Sequence, residues 1–351
     1  MLRGIIFGIV FGIVTLGSAD SATIYVPDDY PTIQDAIDAS LDGDTIIVRP
    51  GTYVENINYM GKTITVMSEK GPHVTTIDGG IPSNPNRGSV VYIESGEGPD
   101  TVLEGFTITN GTGTNGVGGG ILCNTSSPTI RNNIITGNRL HGHGGGVYSY
   151  LSTVTIEDTL VIGNTLTNGY NGAGIHSYAS TLAVIDTIVA GNTSGIFSSG
   201  KGGGIYAHSS TVTLTNTNLF WNNAEAGGGF YCTYNPKAVV TNCIFFDNED
   251  NAKAGGLYVG GYSDATVHNT IFWDNGPWYG GYWEIYLNSG TFTISYSDVD
   301  MGQNGVYVSG SSTMNWGSGM IEADPQLHDP DKGDLHLTSE PRTRYSENAS
   351  D

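Results

Sequence analysis

The chain has 351 residues, of which 13 are Lys or Arg and 34 are Asp or Glu, giving a formal net charge of −21. A surface this acidic repels nucleic acid and anionic lipid, so the composition argues against both as partners. Gly occurs 52 times while apolar residues make up 38% of the chain, a balance that favours tightly turned, packed coils over disorder.

Residues 1–19 have the pattern of a secretory signal peptide. Arg3 precedes an apolar run from Ile5 to Leu16, and small residues lead to a cleavage position after Ala19. The run is too short to cross a bilayer, and glycines and polar residues interrupt every later strand. We therefore expect a protein without a membrane span that is secreted or held at the cell surface.

Residues 20–79 are predicted to form an N-terminal cap followed by the first coils. Pro31 to Leu41 has the pattern of an amphipathic helix, with Pro31 at its first position. Four apolar residues are expected on one face of this helix: Ile33, Ala36, Ile37 and Leu41. Such a helix would cover the open end of the first coil, because terminal repeats need a cap.

Residues 80–300 contain one motif written several times. Aligned on its last residue, the copies end 26 to 30 residues apart at Asn110, Asn138, Asn164, Asn192, Asn222, Asn248 and Asn275. Each has a polar or acidic partner six positions upstream: Glu104, Asn132, Asp158, Asp186, Asn216, Asn242 and Asn269. A period of this length predicts an all-β solenoid of stacked parallel coils. The repeated Asn fits this prediction, because Asn suits tight bends and stacked side-chain amides can hydrogen-bond one another.

The N-terminal segment carries a resemblance to a known family. Tyr30-Pro-Thr-Ile-Gln-Asp-Ala-Ile-Asp-Ala-Ser and Asp44-Thr-Ile-Ile-Val-Arg-Pro-Gly-Thr-Tyr-Val-Glu55 resemble the opening of right-handed parallel β-helix proteins of the pectin-lyase-like superfamily, pectin methylesterases included. The resemblance implies a right-handed single-stranded parallel β-helix with an N-terminal capping helix. It also implies, in many members, chemistry on uronic-acid polysaccharides.

The catalytic signatures of that superfamily are not matched. Glu157-Asp158-Thr159-Leu160 resembles one pectin methylesterase segment, but Asp158 is a rung of the repeat and the second segment is missing. The signatures of polygalacturonases and pectate lyases are missing too. The resemblance therefore supplies the fold and no catalytic residue.

A candidate site follows from the alternation of the strand after each Gly-rich opening. One column is predicted to be interior: Ile121, Val147, Ile175, Ile205, Phe230 and Leu257. The next column should then point outward: Leu122, Tyr148, His176, Tyr206, Tyr231 and Tyr258. A second outward column lies two residues on: Asn124, Tyr150, Tyr178, His208, Thr233 and Gly260. Together they predict an exposed strip of Tyr and His along the solenoid.

This strip suits a polysaccharide. His208 and His176 are the candidate general bases, with Tyr206 and Tyr178 as partner acids. The predicted substrate-binding residues are Tyr148, Tyr150, Tyr231, Tyr258, His143, Arg139 and Lys201. Aromatic rings can stack on sugars and the two cations can bind carboxylates. The structural alternative is that the rings stack on each other and the loop charges are merely solvated.

Residues 301–351 are predicted as C-terminal turns and a tail, which we expect to be truncated or altered. Asp329, Asp331 and Asp334 could hold Ca²⁺, although an Asp-Pro-Asp turn explains them equally well, and no other cofactor is indicated. The cysteines are Cys123, Cys232 and Cys243, an odd count. Burial as small core residues is expected for all three, and a bridge between Cys232 and Cys243 stays open.

Three functional classes remain. The first is a polysaccharide lyase or glycoside hydrolase that works along the Tyr/His strip, and the second is a non-catalytic, cell-surface or adhesive solenoid that binds glycans. The third is an ice-binding solenoid, suggested by Thr153/Thr155 and Thr211/Thr213 and weakened by Ala183 and Val239, which interrupt that column. We expect a monomer whose partner is a polysaccharide or a cell-surface glycan.

Overall fold

A computed structural model describes residues 21–195, 199–251, 253–277 and 283–338. Three long parallel sheets, named A, B and C, run along the described chain. Each coil passes from sheet C to sheet A to sheet B, and every strand pairs with its equivalents one coil before and after. The predicted parallel β-helix is confirmed. The predicted signal peptide lies outside the described residues, as do residues 339–351 of the tail.

The strands of the three sheets have the following bounds. Sheet A contains Thr23–Val26, Thr45–Val48, Thr65–Ser68, Val102–Glu104, Thr129–Arg131, Thr153–Glu157, Thr181–Ile185, Thr211–Thr215, Lys237–Thr241, Asp264–His268, Thr291–Ser295 and Thr313–Trp316. Sheet B contains Gly51–Val54, Thr75–Asp78, Thr107–Thr109, Ile134–Thr136, Leu160–Ile162, Ile188–Ala190, Asn218–Phe220, Ile244–Phe246, Ile271–Trp273 and Asp298–Val299. Sheet C contains Ile57–Asn58, Val91–Ile93, Ile121–Asn124, Val147–Tyr150, Ile175–Tyr178, Ile205–His208, Phe230–Thr233, Leu257–Gly260, Ile285–Asn288 and Val306–Ser309.

Shorter elements decorate the coils. Parallel pairs join Arg139–Leu140, Thr165–Leu166 and Thr193–Ser194, and also Glu249–Asp250 with Gly276–Pro277. Antiparallel pairs join Arg87–Gly88 with Gly113–Thr114 and Leu327–Asp329 with Asp334–Leu337. Two 3-10 turns span Gly302–Gly305 and Pro330–Lys332. The Leu327–Leu337 hairpin packs on outward-facing rings of sheet B, among them Phe246 and Trp273.

The capping helix spans Ile33–Ala39 and is shorter than predicted. Its N-cap is Thr32, whose hydroxyl accepts a hydrogen bond from the Asp35 amide, and the Glu55 carboxylate accepts two more from the first turn. Ile33, Ala36 and Ile37 are buried as expected. The predictions for Pro31 and Leu41 are wrong, because Pro31 precedes the cap and Leu41, beyond the helix end, is 65% exposed.

No helix within the described ranges has both the length and the apolar character that crossing a membrane requires.

The core is a continuous column of apolar side chains inside the coils. The predicted interior residues of sheet C, from Ile121 to Leu257, are fully buried, which confirms the prediction for the inward-facing column. The inward side chains of sheets A and B complete the core, where the rings of Phe245 and Phe272 stack 4.6 Å apart. Because the interior alternates with the exterior along each strand, the neighbouring side chains must point away from this core.

A buried ladder of Asn amides follows sheet B, as predicted. Each side-chain amide donates to the carbonyl oxygen of the next rung, from Asn138 to Asn275, at distances of 2.7 to 3.0 Å. The last rung, Asn275, donates to the buried carboxyl group of Glu284 at 2.6 Å. A second, exposed ladder joins Asp186, Asn216, Asn242 and Asn269. These four residues have the left-handed backbone that Asn and Asp tolerate.

The first pair of the predicted repeat is wrong by one residue. Strand pairing places Glu104 opposite Arg131, so that Gly105 rather than Glu104 corresponds to Asn132. Likewise, Gly111 rather than Asn110 stands at the ladder position, where its amide donates to Asn138 at 2.8 Å. Asn110 is exposed and left-handed, with φ of 61°, and so occupies the corner before the ladder.

The three cysteines, all within the described residues, are unpaired and buried, as expected. Burial raises the pKa of Cys232 to about 12 and that of Cys243 to about 11, and it also raises the pKa of Cys123. A thiol is nucleophilic only as the thiolate. We therefore expect a thiol-specific reagent to label none of the three in the folded protein and all three in denaturant. Rapid labelling of the folded protein would contradict this burial.

Candidate functional site

The outer face of sheet C carries a column of rings that we call the buried ring column. Its members are in register one coil apart: Tyr148, His176, Tyr206, Tyr231, Tyr258, Tyr286 and Tyr307. Neighbouring rings stack face to face, with centroids 4.1 to 5.4 Å apart. The rings therefore cover one another from Tyr148 to Tyr307, although Tyr307 at the end of the stack is 37% exposed.

The predicted exposure of the first outward column is wrong at five of its six positions, and the sixth, Tyr148, is half-buried. Leu122, His176, Tyr206, Tyr231 and Tyr258 are all buried, although they point away from the core. Stacking covers the ring faces, and the loops that precede sheet C cover the edges. Ala226, for example, packs against the tyrosines, and the rings of His143 and Tyr170 add to the cover around His176. The alternation of the strand could not reveal this second layer.

Burial also changes the acid-base properties that a catalytic role would need. It lowers the pKa of His176 well below the usual range, so this ring is neutral at physiological pH. It raises the pKa of Tyr206 to about 12. Neither side chain reaches solvent, so His176 and Tyr206 are suited to holding sheet C together by stacking. Tyr231 and Tyr258 are likewise buried, and their rings stack 4.1 Å apart.

A second set of stacked rings, which we call the exposed ring ladder, remains accessible. It runs Tyr150, Tyr178, His208 and Tyr234, with centroids 5.6, 4.7 and 4.4 Å apart. Tyr178 is 37% and Tyr234 61% exposed. Within the stack, the face of each ring is covered by the neighbouring ring, so the ladder offers mainly ring edges and hydroxyl groups to a ligand. Burial lowers the pKa of His208, whose Nδ1 lies 3.1 Å from the Ser209 hydroxyl.

Tyr234 was missed by sequence reasoning. Strand pairing puts Thr233 opposite His208, and the ring comes from the following residue. Tyr234 has φ of 64°, the left-handed conformation of a corner, and its ring stacks on His208. A bulky residue with positive φ is unusual, and nothing in the local sequence marks it.

Two lysines lie beside the buried ring column. Lys201 Nζ is 5.3 Å from the ring centroid of Tyr231. Lys253 Nζ is 5.2 Å from that of Tyr258 and 5.7 Å from that of Tyr286. Burial lowers the pKa of Lys201, and the ammonium group of Lys253 lowers it further. The two cations are therefore close enough to interact, in a protein that is strongly acidic overall.

Lys253 was not predicted as a site residue, although the sequence holds a signal for it. Lys201 and Lys253 each stand four residues before a strand of sheet C, and His143 has the same offset. His143 is half-buried, its Nδ1 accepts a hydrogen bond from the Asn171 amide, and burial lowers its pKa. Arg139 instead lies exposed in the short strand after Asn138, and no described contact links it to the rings.

Two of the three carboxylates considered as possible calcium ligands, Asp329 and Asp334, are engaged by neighbouring side chains. Asp329 accepts a hydrogen bond from Lys332 at 2.8 Å, and Asp334 pairs with His328 and His336 at 2.8 and 2.6 Å. Nowhere in the described part of the chain do three or more His, Cys, Asp or Glu side chains group as metal ligands would. These side chains instead close the C-terminal hairpin.

Comparisons with known proteins agree with this architecture. A family model described as a right-handed beta helix region matches residues 158–317, and one described as a protein of unknown function (DUF1565) matches residues 58–227. The crystal structure of pectate lyase Pel9A is 13% identical, with a TM-score of 0.56, covering 95% of this chain and 91% of that one. This similarity shows the fold alone.

Two further matches are weaker. An alginate lyase from Paenibacillus sp. str. FPU-7 is 11% identical, with a TM-score of 0.39, covering 86% of this chain and 99% of that one. The metabotropic glutamate receptor-like protein R of Dictyostelium discoideum is 31% identical over 100 residues, which are 28% of this chain and 6% of that protein. The repeat period, the strand topology and the family model that matches residues 158–317 agree on the fold. The chain is a right-handed parallel β-helix of stacked repeats, a fold that it shares with pectate lyase Pel9A.

Proposed function

We propose that the protein binds an acidic polysaccharide across the outer face of sheet C. The observation that carries this proposal is the pair of ammonium groups of Lys201 and Lys253 beside the buried ring column. A chain with a net charge of −21 repels polyanions overall, so binding one requires a local group of cations, that is, a basic patch. Two cations held close together against tyrosine rings make such a patch.

The surroundings of the two lysines suit sugar residues as well as carboxylates. The exposed ring ladder lies on the same sheet and presents the hydroxyl groups of Tyr150, Tyr178 and Tyr234 and the nitrogens of His208. These groups can exchange hydrogen bonds with sugar hydroxyl groups. The ammonium groups of Lys201 and Lys253 lie beside Tyr231 and Tyr258, which are paired in adjacent coils, so one sugar chain running along the sheet could contact both.

The test is retention on polygalacturonate and alginate, with neutral dextran as a reference. We expect the double variant Lys201→Ala/Lys253→Ala to bind at least tenfold more weakly than the wild type, and added salt to weaken wild-type binding. Lys237→Ala is the matched control, because Lys237 is an exposed lysine on sheet A. Equal binding by the double variant and the wild type would contradict the proposal.

A second candidate function is cleavage of the bound uronate by β-elimination. The observation that favours it is the position of Lys201 beside Lys253 on the ring column. Burial and the neighbouring ammonium group lower the pKa of Lys201, which favours the neutral amine that removes a proton while Lys253 holds the carboxylate. Ultraviolet absorbance of unsaturated uronate would report turnover. His208 and Tyr178, stacked 4.7 Å apart, are the sequence-predicted acid-base residues that stay accessible, so His208→Ala belongs beside Lys201→Ala. Loss of absorbance in only one variant would identify the base.

The ice-binding alternative finds no support on the outer face of sheet A. Ala183 and Val239 interrupt the Thr column, as the sequence indicated, and they pair in register with Thr213. In the adjacent column, Lys237 and Asp264 are paired and exposed where a threonine array would continue. A charged pair breaks the flat, regular surface.

A further inference from the structure

Both ring columns of sheet C stop at a cleft near the N-terminal end of the solenoid. The cleft has a volume of about 300 Å³ and is lined mainly by Arg87, Glu94, Asn115, Asn124, Tyr148 and Tyr150. A volume of this size lies at the lower end of small-molecule sites. The cleft is two coils away from Lys201, so it is separate from the basic patch.

The cleft exists because the columns end. Strand pairing puts Asn124 opposite Tyr150 and Leu122 opposite Tyr148, where every later coil to Tyr206 and His208 has a ring. The Tyr150 ring therefore has Tyr178 on one face and only the short Asn124 side chain on the other. A tyrosine face without a stacking partner is the surface on which the apolar face of a pyranose packs.

A fixed pair of opposite charges lines the same cleft. Arg87 is ion-paired with Glu94, and its guanidinium lies 4.2 Å over the ring of Tyr92. The Tyr92 hydroxyl in turn accepts hydrogen bonds from the Ser89 amide at 3.0 Å and the Thr114 hydroxyl at 2.9 Å. These contacts hold the guanidinium in place, while 40% of the Arg87 side chain and 19% of the Glu94 side chain remain exposed.

From these contacts we infer that the cleft binds a neutral pyranose unit. One sugar ring stacks on the open face of Tyr150, Arg87 donates to its hydroxyl groups and Glu94 accepts from them, as charge-assisted hydrogen bonds. The amides of Asn115 and Asn124 add further donors and acceptors. A uronate is disfavoured because its carboxylate would be repelled by Glu94 and would have to compete with it for Arg87. The cleft thus selects an uncharged sugar, whereas the basic patch selects an acidic one.

The central experiment fills the cleft. Asn124→Tyr places a ring in register with Tyr150, so it extends the exposed ring ladder, leaves the fold stable and covers the open face. Binding is measured by saturation-transfer NMR and calorimetry with cellotetraose, mannotetraose and galactotetraose, and with tetragalacturonate as the acidic probe. We expect at least one neutral tetrasaccharide to bind the wild type and to bind Asn124→Tyr at least tenfold more weakly. Val239→Tyr, on exposed sheet A, is the control and should bind like the wild type.

A second variant tests the selectivity. Glu94→Gln keeps the shape of the side chain but removes its charge, which frees Arg87, so we expect weaker neutral binding together with a gain in tetragalacturonate binding at the cleft. Failure of every neutral tetrasaccharide to bind, or undiminished binding by Asn124→Tyr, would overturn the inference. If Asn124→Tyr removes neutral binding in a protein that does not bind polygalacturonate, the cleft inference is upheld and the function proposed for the basic patch is refuted. Loss of polygalacturonate binding in the double lysine variant with intact neutral binding supports both.

Discussion

Asn192→Ala is expected to lower the free energy of unfolding by about 3–5 kcal/mol. The Asn192 amide donates to the Val161 carbonyl at 2.8 Å and to Asn222 at 3.0 Å. Its carbonyl oxygen accepts from the backbone and side-chain nitrogens of Asn164, both at 3.0 Å. Because the whole site is fully buried, no water can replace these contacts, and the variant leaves polar groups of both neighbouring coils unpaired. Urea denaturation followed by circular dichroism measures the loss.

The exposed ladder supplies the matched control for this variant. Asn216 lies in the following coil, donates to Asp186 at 2.9 Å and accepts from Asn242 at 3.1 Å, but is open to water. Asn216→Gly preserves the left-handed backbone, so we expect a cost below about 1 kcal/mol. Equal destabilisation by the two variants would show that burial does not account for the contribution of the inner ladder to the free energy of unfolding.

Glu284→Gln is expected to stabilise the protein by at least about 1 kcal/mol at pH 8, the equivalent of one pKa unit, and to have little effect near pH 4. Glu284 ends the Asn ladder, where its carboxyl group accepts from the amide and the side chain of Asn275. Burial raises the pKa of Glu284 well above its ordinary value of 4.5, despite these hydrogen bonds, and Asp300 adds to the effect. A Gln side chain keeps an acceptor for Asn275 and carries no charge.

The direction of the pH dependence follows from the raised pKa. Above the pKa of the unfolded chain, the folded protein holds the Glu284 proton more tightly, so its stability falls as the pH rises toward the folded pKa. Below about pH 4.5 both states are protonated and the wild type retains its full stability. The difference between variant and wild type should therefore grow from acid to alkali. A difference that is constant with pH would mean that Glu284 is not the titrating group.

The regular features of the fold could be predicted from the sequence, because each of them occurs in several successive coils. One Asn in one loop says little, but Asn138 and its successors at a constant offset from β-branched strands predicted a stacked ladder, which the structure contains. The prediction of the first rung was wrong because the repeated residue is missing there. At Gly111 the repeat is represented by a residue without a side chain, and the neighbouring Asn110 attracted the alignment.

The candidate site was less accessible to sequence reasoning. Alternation correctly indicated that Tyr206 and Tyr231 point away from the core, but it could not show that stacking and the preceding loops bury them. Nor could it bring Tyr234 back over His208, since this depends on a left-handed corner. Sequence reasoning did not identify Arg87 and Glu94, because they belong to a segment that does not follow the repeat. Only the fold brings this segment beside Tyr150, which lies two coils further along.

By itself, the sequence of this protein determined the coil period, the identity of the interior columns and the buried amide ladder, because each depends on local alternation and on contacts between equivalent positions. Only the tertiary structure decided which outward residues meet solvent, where the basic patch lies and where the ring columns end in a cleft. These properties depend on how loops of unequal length fold back over sheet C, and contacts between non-equivalent residues leave no periodic trace in the chain.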